Sequence, residues 1–586
     1  MIPMTAAPPD RLPLPLLTTE ARVVLRNRYL AKRRGATGRE TPAHMFWRIA
    51  TDIASAELRY SKRSRLPHAA SRFYEMMARL DFLPNSPTLM NAGRSLQQLS
   101  ACFVLPVEDS LASILESVKS QALVHQSGGG TGFSFNRIRP RHDLVASTNG
   151  MASGPISFMR VFNLTTDVIK QGGARRGANM GILQIDHPDI LDFIALKRNP
   201  AEMTNFNLSV GLTRSFMRAR KQNRFYALIN PRTGLAVKRI SARMVFDRLV
   251  DAAWESGEPG VLFLDTINRA NPTPRLGRIE ATNPCGEQPL LPFESCTLGS
   301  INVSNFVLER PDGPVLDYSR LGETVELAVR FLDNVIDRNR YPLAEIEAAT
   351  KRTRKIGLGI MGFADLLIRL RIPYDSDQAL AVARRLMQFL KSQAHRASHR
   401  LAEERGPYPA LHRDRAHTSG ILRNATVTTI APTGTISIIA GCSPGIEPIY
   451  AIQTVRTVLN GRQLVTRHPL FMRMARVEGL DLDRIQTHLD AAPSIRDVPT
   501  IPSHLRLLFP TAHDVAPEHH VRMQAIFQRY SDSGVSKTIN LPSTATRQEV
   551  ARALLLAHEL GCKGLTVFRS GSRADQVLSC TKTKSC

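Results

Sequence analysis

The sequence has no run of eighteen apolar residues, so an ordinary membrane-spanning helix is not expected. Its opening stretch, MIPMTAAPPDRLPLPLL, lacks a basic leader, and its short apolar piece is broken by prolines. A secretory signal is therefore not expected either, and the expected location is the cytoplasm. Cysteine is scarce: seven in 586 residues, an odd number with no CxxC pair. That argues against a four-thiolate zinc site and against a disulfide framework, and no metal site is expected. The thiols are left as core residues, reactive groups, or both. Acidic residues are also in deficit, 51 Asp and Glu against 77 Lys and Arg, a formal net charge of +26. Such an excess attracts anions: nucleotides, nucleic acid or acidic partners. The basic residues are dispersed and no nucleic-acid-binding module stands out, which disfavours a nucleic-acid-binding protein. The one dense cluster, RNRYLAKRRGATGR (26–39), reads as a solvated helix face or as a phosphate contact.

The texture divides the chain into three. Residues 1–80 look helical and basic after a proline-rich start. Residues 81–573 carry no linker and read as one large domain. Residues 574–586 are polar, without a core pattern, and are expected to be mobile. Between Leu80 and about Asn207, short apolar runs such as ACFVLP alternate with glycine-rich loops, which suits buried strands. Helices are clearer beyond. SARMVFDRLVDAAWESG opens on an N-capping serine and closes on glycine. SRLGETVELAVRFLDNVID repeats the apolar stripe, and DSDQALAVARRLMQFLKSQAHRASHRLAEERGP runs to a stop at Gly406 and Pro407. TRQEVARALLLAHELG begins with a capping box, Thr546 with Glu549, and leads into a strand, LTVFR. Strands alternating with helices over hundreds of residues imply an α/β fold.

Four motifs bear on chemistry. GLGIMG (357–362) fits G-x-G-x-x-G, but TKRTRKI before it makes a poor buried strand, so its glycines are expected to serve helix packing rather than a dinucleotide. SGGGTG (127–132) lacks a P-loop ending and is either a tight turn or a close ligand approach. APTGTISIIAG (431–441) follows an apolar strand, ATVTTI, and its hydroxyls and backbone amides suit a phosphate as well as a simple loop. NPCGEQPLLPFESC (283–296) places Cys285 between Asn283 and Glu287. A neighbouring carboxylate raises a thiol pKa, which argues against a thiolate nucleophile. A neutral thiol beside a carboxylate base and an orienting amide suggests other chemistry, in which the thiol gives up a hydrogen atom, although the triad alone favours a plain structural reading. A buried cysteine in a loop is the bland reading of the same triad.

Taken together and in order, LPNSPTLMNAG, LSACFVLPVEDS, GGGTGFSFNRIRP, GGARRGAN, NPCGEQPL, CTLGSINV, IGLGIMGFADLL, APTGTISIIAGCSPGIEP and GCKGLTVFR resemble the catalytic subunits of ribonucleotide reductases, most closely the adenosylcobalamin-dependent class II enzymes. The resemblance implies a ten-stranded α/β barrel with the radical cysteine on a finger loop inside, where burial protects a thiyl radical, and adenosylcobalamin over the barrel mouth. By resemblance, Cys285 is the thiyl-radical residue, Glu287 the base for the 3′-hydroxyl and Asn283 the orienting amide. Cys102 and Cys296 are the pair that reduces the 2′-carbon and ends as a disulfide. Ser86, Ala101, Cys102, Gly130, Pro284, Gly286 and the loop Pro432, Thr433, Gly434, Thr435 and Ile436 match substrate positions. Asp109, Ser110, Leu111 and Arg139 match an allosteric site for a deoxynucleotide or ATP, and residues 171–179 and 145–154 match loops that relay effector identity. Cys580 and Cys586 resemble a shuttle pair re-reduced by thioredoxin or a glutaredoxin-type protein. Cys442 and Cys562 are expected in the core.

The implied activity is reduction of ribonucleotides, with diphosphates as the expected substrate, to supply DNA precursors. A homodimer is expected, without membrane or nucleic-acid partners. Corrinoid-contacting residues are not assigned by the sequence. The eleven-residue step from Cys285 to Cys296, the absence of a Tyr-Tyr pair and an N-terminal region too short for a regulatory cone favour class II over a class I large subunit with a separate metallo-radical partner.

Overall fold

The computed structural model of the chain describes residues 8–31, 40–60, 66–145, 149–169, 177–411, 420–457, 463–489 and 494–572. Threonines start the first two helices. Thr18 and Thr41 accept from backbone amides at the heads of α1 (Thr19–Arg28) and α2 (Pro42–Ala54), and Pro42 occupies the first turn of α2, where its missing N–H costs nothing. α2 is buried along nearly its whole length and lies against α3 (Leu66–Ala78).

Ten strands follow: β1 (Phe82–Pro84), β2 (Cys102–Leu105), β3 (Gly130–Ser134), β4 (Asn179–Gln184), β5 (Phe206–Leu212), β6 (Gly260–Phe263), β7 (Ser295–Asn302), β8 (Ile356–Met361), β9 (Thr538–Leu541) and β10 (Gly564–Arg569). They form one sheet in the order β1-β7-β2-β3-β4-β5-β6-β10-β9, with β8 on the other side of β7. β2 to β6 run parallel. β7 with β8, and β9 with β10, run parallel to each other and antiparallel to that half. Thr428 bridges Leu358 of β8 and Ile430 bridges Val535 ahead of β9, so the extended stretch 426–430 closes the sheet into a barrel. The ten-stranded α/β barrel expected from the resemblance is the observed fold, with the helical N-terminal region beside it.

The helices outside are fixed by local signals. α4 (Leu111–Gln126) is capped by Ser110. α5 (Ala242–Ser256) starts on Ser241 and ends at Gly257 in the left-handed region. α6 (Tyr318–Arg338) places Phe331 edge-on to Phe73 and Phe82, at 5.1 and 5.5 Å between ring centroids, which ties α3 and β1 to the barrel. Each such contact is worth about 0.5–1.5 kcal/mol beyond area burial. α7 (Asp377–Arg405) stops at Gly406, and α8 (Arg547–Glu559) carries the full Thr546–Glu549 capping box. Among the described residues no helix is long and apolar enough to cross a membrane.

One expectation is corrected. GLGIMG does not serve helix packing: residues 356–361 are β8, buried throughout. A Cβ on Gly359 would stand 2.3 Å from the Thr429 carbonyl oxygen, and one on Gly357 2.6 Å from Thr429 Cγ2. The glycines let the closing stretch 426–430 lie against β8.

Candidate active site

A short hairpin, Ala281–Thr282 paired with Pro289–Leu290, carries residues 283–288 through the barrel interior. Two glycines make room for it on opposite walls. A Cβ on Gly132 of β3 would fall 1.7 Å from the Thr282 carbonyl oxygen, and one on Gly534 would fall 2.5 Å from that of Gly286. The loop is tied at both sides. Asn207 Nδ2 donates to the Pro284 carbonyl at 2.8 Å, while the Gly534 N–H and the Thr429 hydroxyl donate to the Glu287 carbonyl at 2.7 and 2.9 Å. Within the loop, the Asn283 side-chain oxygen accepts from the Gln288 N–H at 3.0 Å, and the Gly286 N–H donates to the Asn283 carbonyl at 3.1 Å. Asn207, Thr429 and Gly534 were not legible as site residues, because nothing local marks them; their role lies in partners far along the chain.

The residues expected to do chemistry converge. Asn283 Nδ2 donates to Cys102 Sγ at 3.1 Å, and the Cys102 thiol donates to Glu287 Oε1 at 3.9 Å. Cys102 of β2 is the register partner of Cys296 of β7, and Gly130 of β3 is its partner on the other side. Cys102, Cys296, Leu298 and Ala431 form a small buried cluster with Ala101 packed against it. Cys102, Cys285 and Cys296 are not joined in a disulfide. Burial pushes the Cys296 thiol well above its ordinary value; the Lys355 ammonium pulls the other way, and the carboxylates of Glu287 and Glu294 add to the rise. The thiol is neutral at physiological pH, the form that can supply a proton or a hydrogen atom.

Cys285 departs from expectation. The loop is enclosed, yet the Cys285 side chain is exposed, at the wall of a cavity of about 930 Å³. A thiol on that wall is open to whatever enters the cavity. Pro284, Gly286 and Pro432 share that wall. The 432–436 loop leaves Ala431, next to the thiol pair, and turns with Thr433 at φ 53°, its hydroxyl accepting from the Gly445 N–H at 2.7 Å. Ile436 opens a short helix, Ile436–Ala440. Ser86 begins the helix Ser86–Asn91, its hydroxyl 2.8 Å from that of Tyr29. Cys562 is buried as expected; Cys442 is only partly buried and lines the same cavity.

Asp109, Ser110, Leu111 and Arg139 also come together, away from that cavity. Arg139 Nε donates to Asp109 Oδ2 at 2.8 Å and its backbone N–H to Oδ1 at 3.1 Å; Ser110 caps α4 and Leu111 is exposed. Residues 146–148 and 171–176 of the two relay loops lie outside the described residues, as do Cys580 and Cys586. A second cavity, about 600 Å³, lies at the opposite mouth among Arg269, Lys391, His395, Asp532 and Lys563, and holds none of the expected site residues.

A barrel of two antiparallel halves, with a cysteine-bearing finger through its centre and a thiol pair on its wall, defines a narrow class. Residues 100–422 and 412–568 match the family described as "Ribonucleotide reductase, barrel domain", and residues 16–97 match "Ribonucleotide reductase, all-alpha domain". The "Vitamin B12-dependent ribonucleoside-diphosphate reductase" of Thermoplasma acidophilum is 48% identical, over 96% of this chain and 80% of that protein. The protein of the same name from Mycobacterium tuberculosis is 49% identical, over 97% and 81%. Among solved structures, the "Actinobacillus ureae class Id ribonucleotide reductase alpha subunit" superposes with a TM-score of 0.77 at 23% identity, over 95% of this chain and 97% of that one, a likeness of fold. The chain belongs to the ribonucleotide reductase large-subunit family.

Proposed function

We propose that this chain reduces ribonucleoside diphosphates to 2′-deoxyribonucleotides by a thiyl-radical mechanism that depends on adenosylcobalamin. The observation that carries the reading is the meeting of Cys285, Asn283, Glu287, Cys102 and Cys296 on one finger and two adjacent strands, with Cys285 at the cavity wall. The relatives named vitamin B12-dependent support the cofactor. So does the cavity. Beyond Cys285 its wall is more apolar than polar, with Val24, Ile438, Tyr450 and Leu470, and carries charged and polar groups of both signs, among them Glu20, Arg369, Glu447, His468 and Lys537. That suits a large amphipathic group, and these residues would hold it. When bound, adenosylcobalamin supplies, through homolysis of its cobalt–carbon bond, the radical that Cys285 carries.

The chain's own residues do the rest. Cys285 takes the hydrogen atom from the 3′-carbon, and the Glu287 carboxylate accepts the 3′-hydroxyl proton. Asn283, held by its bond to the Gln288 N–H, orients the ribose hydroxyls. Cys102 gives a proton to the leaving 2′-hydroxyl, which departs as water. Cys102 and Cys296 then supply two electrons and join as a disulfide, and Cys285 returns the hydrogen atom to the 3′-carbon. Ser86, Ala101, Gly130 and the 432–436 loop bind substrate, the loop taking the phosphates. Asp109, Ser110, Leu111 and Arg139 take a deoxynucleotide or ATP effector. Cys580 and Cys586 pass electrons from thioredoxin or a glutaredoxin-type protein, and the working unit is a homodimer. In this reading residues 1–80 are a helical region, 81–573 the catalytic barrel and 574–586 the redox tail.

The test is Cys285→Ala. Deoxyribonucleotide formation falls to background while nucleotide binding persists. Turnover retained in that variant contradicts the reading.

A further inference from the structure

The register that pairs Cys102 with Cys296 continues one strand further. Thr297 of β7 is the parallel partner of Ile356 of β8, so one step back along both strands sets Lys355 beside Cys296. Directly paired residues on neighbouring strands point to the same face. Gly130, Cys102, Cys296 and Lys355 therefore form one row across four strands. Lys355 is 1% exposed, and its ammonium lies 2.5 Å from Glu294 Oε2, itself 2% exposed. Glu294 Oε2 also accepts from the Leu291 N–H at 2.7 Å, while Oε1 is buried with no hydrogen-bond partner. A buried ion pair is costly, and replacing it by apolar residues of similar size is often neutral or stabilising. Its position beside a redox cysteine gives it a use.

We propose that Lys355 is a charge-positioning residue for re-reduction of the Cys102–Cys296 disulfide, its ammonium stabilising the thiolate that leaves on Cys296. The inference rests on the proposed role of that pair. Cys102 faces the finger loop and Cys296 is fully covered, so an incoming thiolate meets Cys102 first. Attack forms a bond from the dithiol sulfur to Cys102 Sγ and breaks the Cys102–Cys296 bond, whose electron pair goes to Cys296 Sγ. That sulfur then takes a proton. The second sulfur of the dithiol attacks the first, closing the reductant's own disulfide and releasing Cys102 as a thiolate that is protonated in turn. The protein disulfide gains two electrons and the dithiol loses two. A thiolate that leaves into an apolar pocket leaves slowly, because the rate falls as the leaving thiol's pKa rises. The charged groups facing Cys296 are Lys355 from just ahead of β8, Glu287 from the finger and Glu294 from just ahead of β7; burial is the larger influence and Lys355 the principal counterweight. Lys563, from ahead of β10, is a further cation, near enough to feel the charge of Lys355.

The experiment uses the full chain, oxidised by one turnover without reductant. Peptide mass mapping verifies the Cys102–Cys296 disulfide, and the second-order rate of its reduction by dithiothreitol is followed from pH 6.5 to 9. Lys355→Met and the double variant Lys355→Met/Glu294→Gln, which leaves no unpaired buried charge, are expected to slow that step at least about tenfold. Lys355→Arg is expected to stay within about threefold. The equilibrium potential of the pair is expected to be unchanged, because both sulfurs end as neutral thiols. A double variant reduced at the parent rate, or Lys355→Arg as slow as Lys355→Met, overturns the inference while leaving the redox pair intact. Absence of the disulfide in the parent overturns the redox pair itself, and the inference with it.

Discussion

Cys102 and Cys296 face each other across antiparallel strands of the barrel wall, and the finger reaches Cys102 with two side chains, Asn283 at 3.1 Å and Glu287 at 3.9 Å. The proposed proton donor, base and electron source are thus held by one row of backbone pairing and one loop. A single turnover without reductant is expected to give about one deoxyribonucleotide per chain and a Cys102–Cys296 disulfide. Cys296→Ser is expected to give no deoxyribonucleotide beyond background. Quantified product and peptide mapping of the two thiols check both.

The finger's path depends on missing side chains. Gly132→Ala places a methyl 1.7 Å from the Thr282 carbonyl oxygen, and Gly534→Ala places one 2.5 Å from that of Gly286. Both neighbours are backbone and cannot rotate away. Each substitution is expected to cost at least about 1–3 kcal/mol and to move Cys285 from the cavity wall. Thermal midpoint and turnover are the measurements. A Gly132→Ala chain with parental melting and full activity would show that the hairpin does not pass there.

Acid sensitivity should have a nameable part. His125, fully buried with Nε2 3.0 Å from the Thr131 hydroxyl, is brought down to about 4 by burial, against a smaller backbone contribution from Ala178. Between its ordinary 6.5 and 4 the unfolded chain binds a proton that the native chain does not. Stability therefore falls as pH drops through that window, by about 1.4 kcal/mol per pH unit, and this contribution levels off below it. His125→Gln is expected to make the acid limb of melting temperature against pH shallower than in the parent. Parallel limbs would contradict it.

Cys580→Ser is expected to keep full turnover with dithiothreitol and to lose it with thioredoxin. This prediction rests on the family resemblance, since the tail lies outside the described residues. Equal loss with both reductants would refute a shuttle.

Much of this was legible in the sequence, and unevenly. Helix ends were read well, because Ser241, Gly257, Thr546 and Gly406 act within one turn of chain. The barrel came from motif order, not from periodicity, and so did the roles proposed for Cys285, Glu287 and Asn283. GLGIMG was misread because its glycine spacing suits several structures; the deciding contact, with Thr429, lies about seventy residues on. Asn207, Gly534 and Lys355 were invisible for the same reason. Lys355 ahead of a short apolar run looks like any solvated lysine until the β7–β8 register sets it beside Cys296.

The most direct test of the central claim is one assay: the purified chain, adenosylcobalamin, dithiothreitol and a ribonucleoside diphosphate, with no second protein. The account predicts deoxyribonucleotide formation that requires the cofactor and is lost in Cys285→Ala. No product there, with activity appearing only when a separate metal-containing radical subunit is added, would contradict it.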